Sequence, residues 1–514
     1  MADLIHLPEP PLLFRHEQTV EDPRDGLTLF GPLDKGSPYG IRAGVVGTKD
    51  GIRRFRQWVA KIQRPIIGPD PDEYFQLSHP PFPGFEAAFR IPWNPEPTLE
   101  LTIDDSELKS VYLNEKHQRV YKTVDVYAHR ISGAIGKQDV GIDVWFVIVP
   151  DSVYKYCRPL SSVEAPLRIA VNSHLSLTLA RRLWTEQSLF KELNIDAEQY
   201  RFEPDFHNQL KARLLEQHAP IQIIRESTIA HHEFLNTRGK PTRKLDSMLS
   251  NIAWNISNAA FYKAGGRPWK IAKIRKGVCY IGLVFKQDKI EEDPRSACCA
   301  AQMFLDSGDG VVFKGAVGPW YSPEKREFHL TRRAACELVT LAVETYKEHT
   351  DEKDGNGNKK PPDELFIHGK VRFDDEEWAG FQSSVDASTN LVGVQIRYAK
   401  RVKLYRAGEY PVLRGLAFVQ DDHTAYLWTN GFTPRIQTYT GKEVPNPLLI
   451  SVCRGKAAIE IVLSDIMALT KLNYNACKFA SGLPVTLRFA DAVGEILTAG
   501  PLKEKAPLPF KFYI

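Results

Sequence analysis

GVCYIGLVFKQ (277–287) followed by ACCAAQMFLDSGDGVVFKG (297–315) decides the fold of the C-terminal half. The first stretch is an apolar, β-rich run that predicts a strand. The second reads as strand, Gly-Asp-Gly turn and strand, which is a hairpin signal. Working outward, TRRAACELVTLAVETYKEH (331–349) has the spacing of an amphipathic helix, and DEKDGNGNKKPPD (351–363) reads as an exposed loop. ELFIHGKVRF, TNLVGVQIRY, RGLAFVQ and AYLWTNG supply more strands. AAIEIVLSDIMALTKLNYNA and PVTLRFADAVGEIL predict two helices flanking a strand.

Upstream, GIDVWFVIVP (141–150) is a β-branched run closed by proline, the pattern of a buried strand in a parallel sheet. VDVYAHRISGAI has helical spacing, LARRLWTEQSLFKELN and DFHNQLKARLLEQ are charged and helix-like, and IQIIRE (221–226) is a second strand. LDSMLSNIAWNISNAAFYKAGG (245–266) predicts a long helix ending at glycines. Alternating strands and helices give an α/β class: a Rossmann-like unit over 111–276, then an RNase H-like unit over 277–514. Residues 1–110, with GPDPDEYF, LSHPPFPGF and RIPWNPEP, read as an irregular, turn-rich region.

The chain has 514 residues, 43% hydrophobic and 25% charged, enough for two to four globular domains. It contains no run of 18 apolar residues, and MADLIHLPEPPLLFRHEQ lacks the basic start and apolar run of a signal peptide. A cytoplasmic protein without a membrane span is expected. Seven cysteines without zinc-type spacing predict reduced, buried thiols, and no fixed-period repeat is present.

Net charge is only +4, so positive charge must act locally. Residues 235–276 hold ten cations, and Asp246 is the single acid among them. The dense end, KAGGRPWKIAKIRK (263–276), combines six cations with glycines and Trp269, as phosphate binding requires. QIRYAKRVKLYR (395–406) adds five cations interleaved with Tyr398 and Tyr405. Nucleic acid is the expected partner, against a solvated basic face as the alternative.

The sequence lacks GxSxG, HExxH, GxxxxGK[ST] and a GxGxxG after a strand. His231–His232 lies in a polar stretch without a third ligand at metal spacing and reads as surface histidines. DDEEW, starting at Asp374, reads first as a helix N-terminus. Two-metal nuclease chemistry needs carboxylates on the central strands, but the first strand carries Val284 there, and Asp288 and Asp374 lie beyond the apolar bodies.

Taken in order, LSNIAWNISNAAFYKAGGRPW, YIGLVF, the Gly-Asp-Gly hairpin, LFIHGK and LTKLNYNACKFASGLPVTLRFADAVGEIL resemble the MID and PIWI domains of prokaryotic Argonautes. The chain lacks room for the N and PAZ domains of long Argonautes. DPRDGLTLFGPLDKGSPYGIRAGVVGT (22–48), DVWFVIVPDSVYKYCRP and FKFYI are similar to the short Argonautes that pair with a TIR–APAZ protein. In that family a Tyr-x-x-x-Lys, a Gln and a Lys before Gly-Gly hold the guide's 5′ phosphate. Tyr154, Arg158 in place of the lysine (with Lys155 as substitute), Gln222 and Lys263 match those positions.

The resemblance also implies a structural Mg2+ at that phosphate, held through the C-terminal carboxylate, here Ile514. Arg267, Lys270, Lys273, Arg275, Arg397, Lys400 and Arg401 are the expected contacts to the nucleic-acid backbone. Of the Asp-Glu-Asp-Asp/His tetrad of slicing Argonautes, the first position matches Val284 and the third Lys370, and only Asp491 keeps an acid. The resemblance thus implies no slicing. It implies a guide-RNA-binding subunit that recognises complementary single-stranded DNA and activates an APAZ-containing effector, with oligomerisation on target binding. The favoured effector is a TIR NADase that depletes NAD in abortive antiviral defence; Sir2 or nuclease effectors are the variants. Two rivals stand beside it: an RNase H-like metal-dependent nuclease using displaced Asp288, Asp374 and Asp491, and an interaction subunit without nucleic acid.

Overall fold

The computed structural model describes residues 3–68, 78–137, 141–164, 167, 175–287, 293, 296–305, 310–350, 352–353, 357–441, 443–501 and 507–514. The strand Val144–Val149 shows how the first unit is built. All six residues are buried, and successive side chains enter two different hydrophobic clusters. Phe146 packs on Phe55 and Trp93, with ring centroids 4.9 and 5.2 Å away. Trp145 and Val147 join Tyr127 and Ile131 on the opposite face. Two apolar faces at a period of two mark a strand covered by helices on both sides.

That strand belongs to a four-stranded, all-parallel sheet in the order Leu99–Ile103, Ala43–Thr48, Val144–Val149, Ile221–Arg225. The helix Lys49–Lys61 contributes Ile52, Phe55, Trp58 and Val59 to one face. Lys116–Ile135 and Phe206–Leu215 cover the other.

Two of these four strands fall inside 1–110, so the sheet draws strands from both sides of the expected boundary at 111. A third N-terminal strand, Asp3–His6, pairs antiparallel with Leu416–Asp421. Prolines and glycines masked this order in the sequence. AGVVGT (43–48) carries two glycines, yet Gly44 is there because a Cβ would sit 2.5 Å from the Trp145 ring.

The second unit is a ten-stranded mixed sheet that includes the leading strand and its hairpin as neighbours. Val278–Gln287 pairs antiparallel with Ala297–Leu305, which pairs antiparallel with Gly310–Gly318. Glu364–Gly369 lies parallel to Val278–Gln287 on its other side, followed by Asn390–Tyr398, also parallel. The expected hairpin is therefore present, although residues 306–309 of its turn lie outside the described residues, as does Asp288. Arg332–His349 and Asp375–Gln382 cover one face; Ile459–Leu469, Val485–Arg488 and Ala490–Leu497 cover the other.

The strand expected between the last helices is absent: residues 470–484 contain none. Their backbone carbonyls instead anchor the two units together. The Tyr474 carbonyl accepts from Asn258 Nδ2 at 2.8 Å, and the Lys471 carbonyl accepts from Trp269 Nε1 at 3.1 Å.

Gly282 marks the tightest crossing in this sheet. A Cβ there would lie 1.9 Å from the Thr486 carbonyl oxygen, so the helix Val485–Arg488 rests directly on the strand. Gly282→Ala is expected to destabilise the protein by about 1–3 kcal/mol, measured by chemical denaturation. An unchanged midpoint would show that the helix is free to shift.

Candidate functional site

A cluster of buried polar side chains forms where the two units and the chain's last residues meet. The helix Phe206–Leu215, capped by Asp205 accepting from Asn208 N, places His207 and Lys211 one turn apart on one face. Lys211 is buried and donates from Nζ to the Tyr513 carbonyl at 2.9 Å. Lys263, the last residue of the helix Leu249–Lys263, is also buried and donates to the Ile221 carbonyl (2.8 Å) and Gln222 Oε1 (2.7 Å). Phe510, Tyr513 and Ile514 are buried as well, so the apolar C-terminal residues are inserted rather than frayed.

Among the described residues neither amine forms an ion pair with an Asp or Glu side chain. Desolvation consequently pushes Lys211 down to about 7. It drives Lys263 well below the usual lysine range, with the charge of Lys211 adding to the effect. The His207 ring reaches solvent, yet desolvation and then the nearby Lys211 lower its pKa too. Two buried amines without a carboxylate side chain beside them carry an uncompensated desolvation cost whenever they are charged. Gln222 and Lys263, expected from the resemblance, meet here; His207 and Lys211 were not marked in the sequence. The readable signal was His-x-x-x-Lys, which puts both side chains on one helical face.

Tyr154, Arg158 and Lys155 lie elsewhere. They line an adjoining cleft of about 1050 Å3, together with the cations Arg225, Arg243 and Lys286 and the acids Asp151, Glu203, Asp205 and Glu495; neither Gln222 nor Lys263 is in its lining. Arg158 donates to the Tyr154 hydroxyl at 3.2 Å, so the Tyr-x-x-x-Arg pair is formed. Arg225 stacks on the same ring, 4.3 Å from its centroid, while paired with Asp151. Lys155 pairs with Glu164 at 2.8 Å, both side chains more than half exposed. Arg225 was missed because it reads as a strand terminus, and Arg243 because it was one cation among many.

At the tetrad-matching positions, Val284 is buried in its strand, and Lys370 Nζ meets Asp491 Oδ1 and Oδ2 at 2.8 and 2.9 Å. An ammonium thus fills the space beside the one remaining carboxylate. Asp374 caps the helix Asp375–Gln382 by accepting from Glu377 N, as its sequence suggested. It groups with His329 and the buried Glu377, and Asp491 is no part of that group. The described residues therefore do not gather the displaced carboxylates of the nuclease reading.

The two basic stretches behave differently. In 263–276, Lys263 and Trp269 are buried, Arg267 lies 3.5 Å from Asp34, and Arg275 pairs with Asp465 and Glu364. Trp269 packs beside Phe14 and Tyr474 and serves the core, not base stacking. Lys270 is partly buried and Lys273 is exposed. In 395–406, by contrast, Arg397, Lys400 and Arg401 are exposed beside exposed Tyr398 and Tyr405. His231, expected at the surface, is buried with Asp246 beside it. Among the described residues no helix is long and apolar enough to cross a membrane.

No protein-family model matches the sequence, and no curated protein matches it. Solved structures do. Clostridium butyricum Argonaute bound to a guide DNA and a 19-mer target DNA aligns over 100% of this chain and 55% of its own, at 15% identity and a TM-score of 0.59. Drosophila Piwi aligns over 99% of this chain and 56% of its own, at 12% identity and a TM-score of 0.59. Aquifex aeolicus Argonaute aligns over 100% and 57%, at 12% identity and a TM-score of 0.55. The chain spans little more than half the length of these structures, and it has the fold of their MID and PIWI portions.

Proposed function

We propose that this MID–PIWI chain binds a 5′-phosphorylated guide RNA and pairs it with complementary single-stranded DNA, without cleaving either. The observation that carries the proposal is the pair of buried amines, Lys211 and Lys263, held by Gln222 and the Tyr513 carbonyl with no carboxylate side chain among the described residues paired to either. A phosphate monoester with charge near −2 supplies the missing counter-charge. Tyr154, Arg158, Arg225 and Arg243 in the adjoining cleft are assigned to the first nucleotides, and the exposed Arg397, Lys400 and Arg401 to the backbone beyond. The likeness to an Argonaute bound to guide and target supports nucleic-acid partners.

Mg2+ is part of the same proposal. The Ile514 carboxylate and Gln222 Oε1 are hard oxygen donors of the type it accepts. When bound, it would neutralise phosphate charge; the chain's own residues position that phosphate. The Lys370–Asp491 ion pair supports a non-slicing role. The finer reading is a subunit of a cytoplasmic prokaryotic immune complex whose APAZ partner carries the effector, a TIR NADase in preference to a Sir2 or nuclease module. Co-expression with the neighbouring gene tests it: short RNA that labels at its 5′ end only after phosphatase treatment is expected in the purified complex. Random-length fragments, or none, would overturn it.

Binding should also depend on pH. Lys211, depressed to about 7, is mainly neutral in the free protein above that pH. A phosphate dianion restores the ammonium, so loading takes up a proton. Affinity for a 5′-phosphorylated strand is expected to fall between pH 7 and 9, by up to about tenfold per pH unit for each lysine involved. A 5′-hydroxyl strand should show no such slope in the same filter-binding titration.

A further inference from the structure

His329 has carboxylates on both edges of its ring. Its side chain is 9% exposed, with Nδ1 3.4 Å from Glu377 Oε2 and 3.8 Å from Asp374 Oδ2, and Nε2 3.4 Å from Glu327 Oε2. An ionised carboxylate only accepts hydrogen bonds, and a neutral imidazole has a single N–H. Whichever tautomer the neutral ring took, one nitrogen would turn a lone pair toward a carboxylate oxygen. Only the imidazolium, protonated on both nitrogens, meets each side with a donor.

Backbone groups place two of these carboxylates. Asp374 Oδ1 accepts from Glu377 N at 2.9 Å as the cap of the helix Asp375–Gln382, and Glu377 Oε1 accepts from Leu330 N at 3.1 Å. Glu377 is 1% exposed, and among the described residues His329 is the one cationic group paired with it. Burial pushes the Glu377 carboxyl up, and the imidazolium works in the opposite direction. The pair keeps its charges because Leu330 N and His329 both donate to that carboxylate. Contact with Glu377 raises the His329 pKa against its own desolvation; exposed Lys325, 3.7 Å from Asp374 Oδ2, opposes the rise. His329 also ends a small hairpin, Tyr321–Ser322 with Glu327–Phe328, its N donating to the Trp320 carbonyl at 3.0 Å. Phe328 stacks on Phe285, the residue after Val284, with ring centroids 5.6 Å apart.

We propose that His329 is a proton-operated latch, which as the imidazolium holds the hairpin 321–328 against the helix Asp375–Gln382 and as the neutral ring releases it. Release lets water reach Glu377, which removes the cost of keeping that carboxylate buried without a partner. The direction follows from the raised His329 pKa. Its stabilisation is complete below the unfolded value of about 6.5 and is lost as pH rises through the folded value. Rising pH therefore opens the hairpin beside the strand that carries Val284. The latch stands on these side chains alone and does not depend on guide binding.

The test is limited trypsin digestion of the full chain, free of nucleic acid, at pH 6.5, 7.5 and 8.5. Lys325 and Arg326 lie exposed in the hairpin turn, and Lys400 and Arg401 are exposed outside it. Dividing cleavage at the first pair by cleavage at the second cancels the pH profile of the protease. In the wild type this ratio is expected to rise at least about tenfold from pH 6.5 to 8.5. Glu377→Gln can keep the Leu330 contact through Oε1 and donate its amide to a neutral His329 Nδ1, so its ratio should stay low and flat. His329→Gln leaves Glu377 without its cation and should give a high, flat ratio. A flat ratio in the wild type, or the wild-type rise repeated in either variant, would overturn the latch. If His329→Gln does not fold, the wild type and Glu377→Gln decide the matter between them. No guide enters the digest, so the result stands whether or not the guide-binding proposal does.

Discussion

Lys211→Met and Lys263→Met are expected to raise thermal stability while abolishing the preference for a 5′ phosphate. Both amines are buried, and burial pushes Lys211 down to about 7 and Lys263 further from its usual range. Holding them in an apolar setting opposes folding, and methionine keeps the length of the side chain without the charge. Each substitution should gain about 1–3 kcal/mol after lost hydrogen bonds are discounted. That corresponds to a melting temperature higher by roughly 1–4 °C in a chain of this size. The double variant should lose about 10²–10³-fold in affinity for a 5′-phosphorylated strand and little for a 5′-hydroxyl strand. Stability gained as binding is lost identifies lysines kept for a ligand. If both variants instead lowered the melting temperature and left phosphate preference intact, the lysines would be structural.

Glu9→Gln should be the most damaging single substitution in the N-terminal segment. Glu9 accepts from Arg414 Nε at 2.8 Å and from Lys471 Nζ at 2.8 Å, and both cations are almost wholly enclosed. These two cations hold the Glu9 carboxyl below its usual range although its own burial acts the other way. Glutamine keeps the shape but leaves two buried positive charges without their carboxylate. A loss of about 3–5 kcal/mol is expected by denaturant titration, as for other broken buried ion networks. A loss below about 1 kcal/mol would show that water reaches the pair.

These two sites also mark how much could be read in advance. Strong periodic runs such as Val144–Val149 and Val278–Gln287 declared themselves, because both faces of each strand are apolar and local composition alone dictates burial. Ala43–Thr48 did not, since Gly44 makes room for Trp145, a partner a hundred residues away. Glu9 gave no sign because its partners come from two distant loops. The candidate site divides in the same way. Gln222 and Lys263 were marked by the resemblance to Argonaute MID domains, and the structure joins them by a 2.7 Å hydrogen bond. Lys211 sat unmarked in a charged helix, where nothing local distinguishes an inward lysine from an outward one. Trp269 misled for the converse reason: among so many cations it looked like a stacking platform, but it fills the core. His231 was read as exposed because its hydrogen-bond partner, Asp246, arrives only when residues 233–245 fold back.

The measurement that tests the central claim most directly is equilibrium binding of one RNA sequence carrying either a 5′ phosphate or a 5′ hydroxyl. It would be made on the wild-type full chain and on the Lys211→Met, Lys263→Met double variant, at pH 7. A phosphate-buried pocket predicts at least about a hundredfold preference for the phosphorylated strand in the wild type, collapsing to near unity in the variant. Equal affinity for the two strands in the wild type, with both falling together as salt rises, would contradict it and leave a basic surface that binds nucleic acid without reading its end.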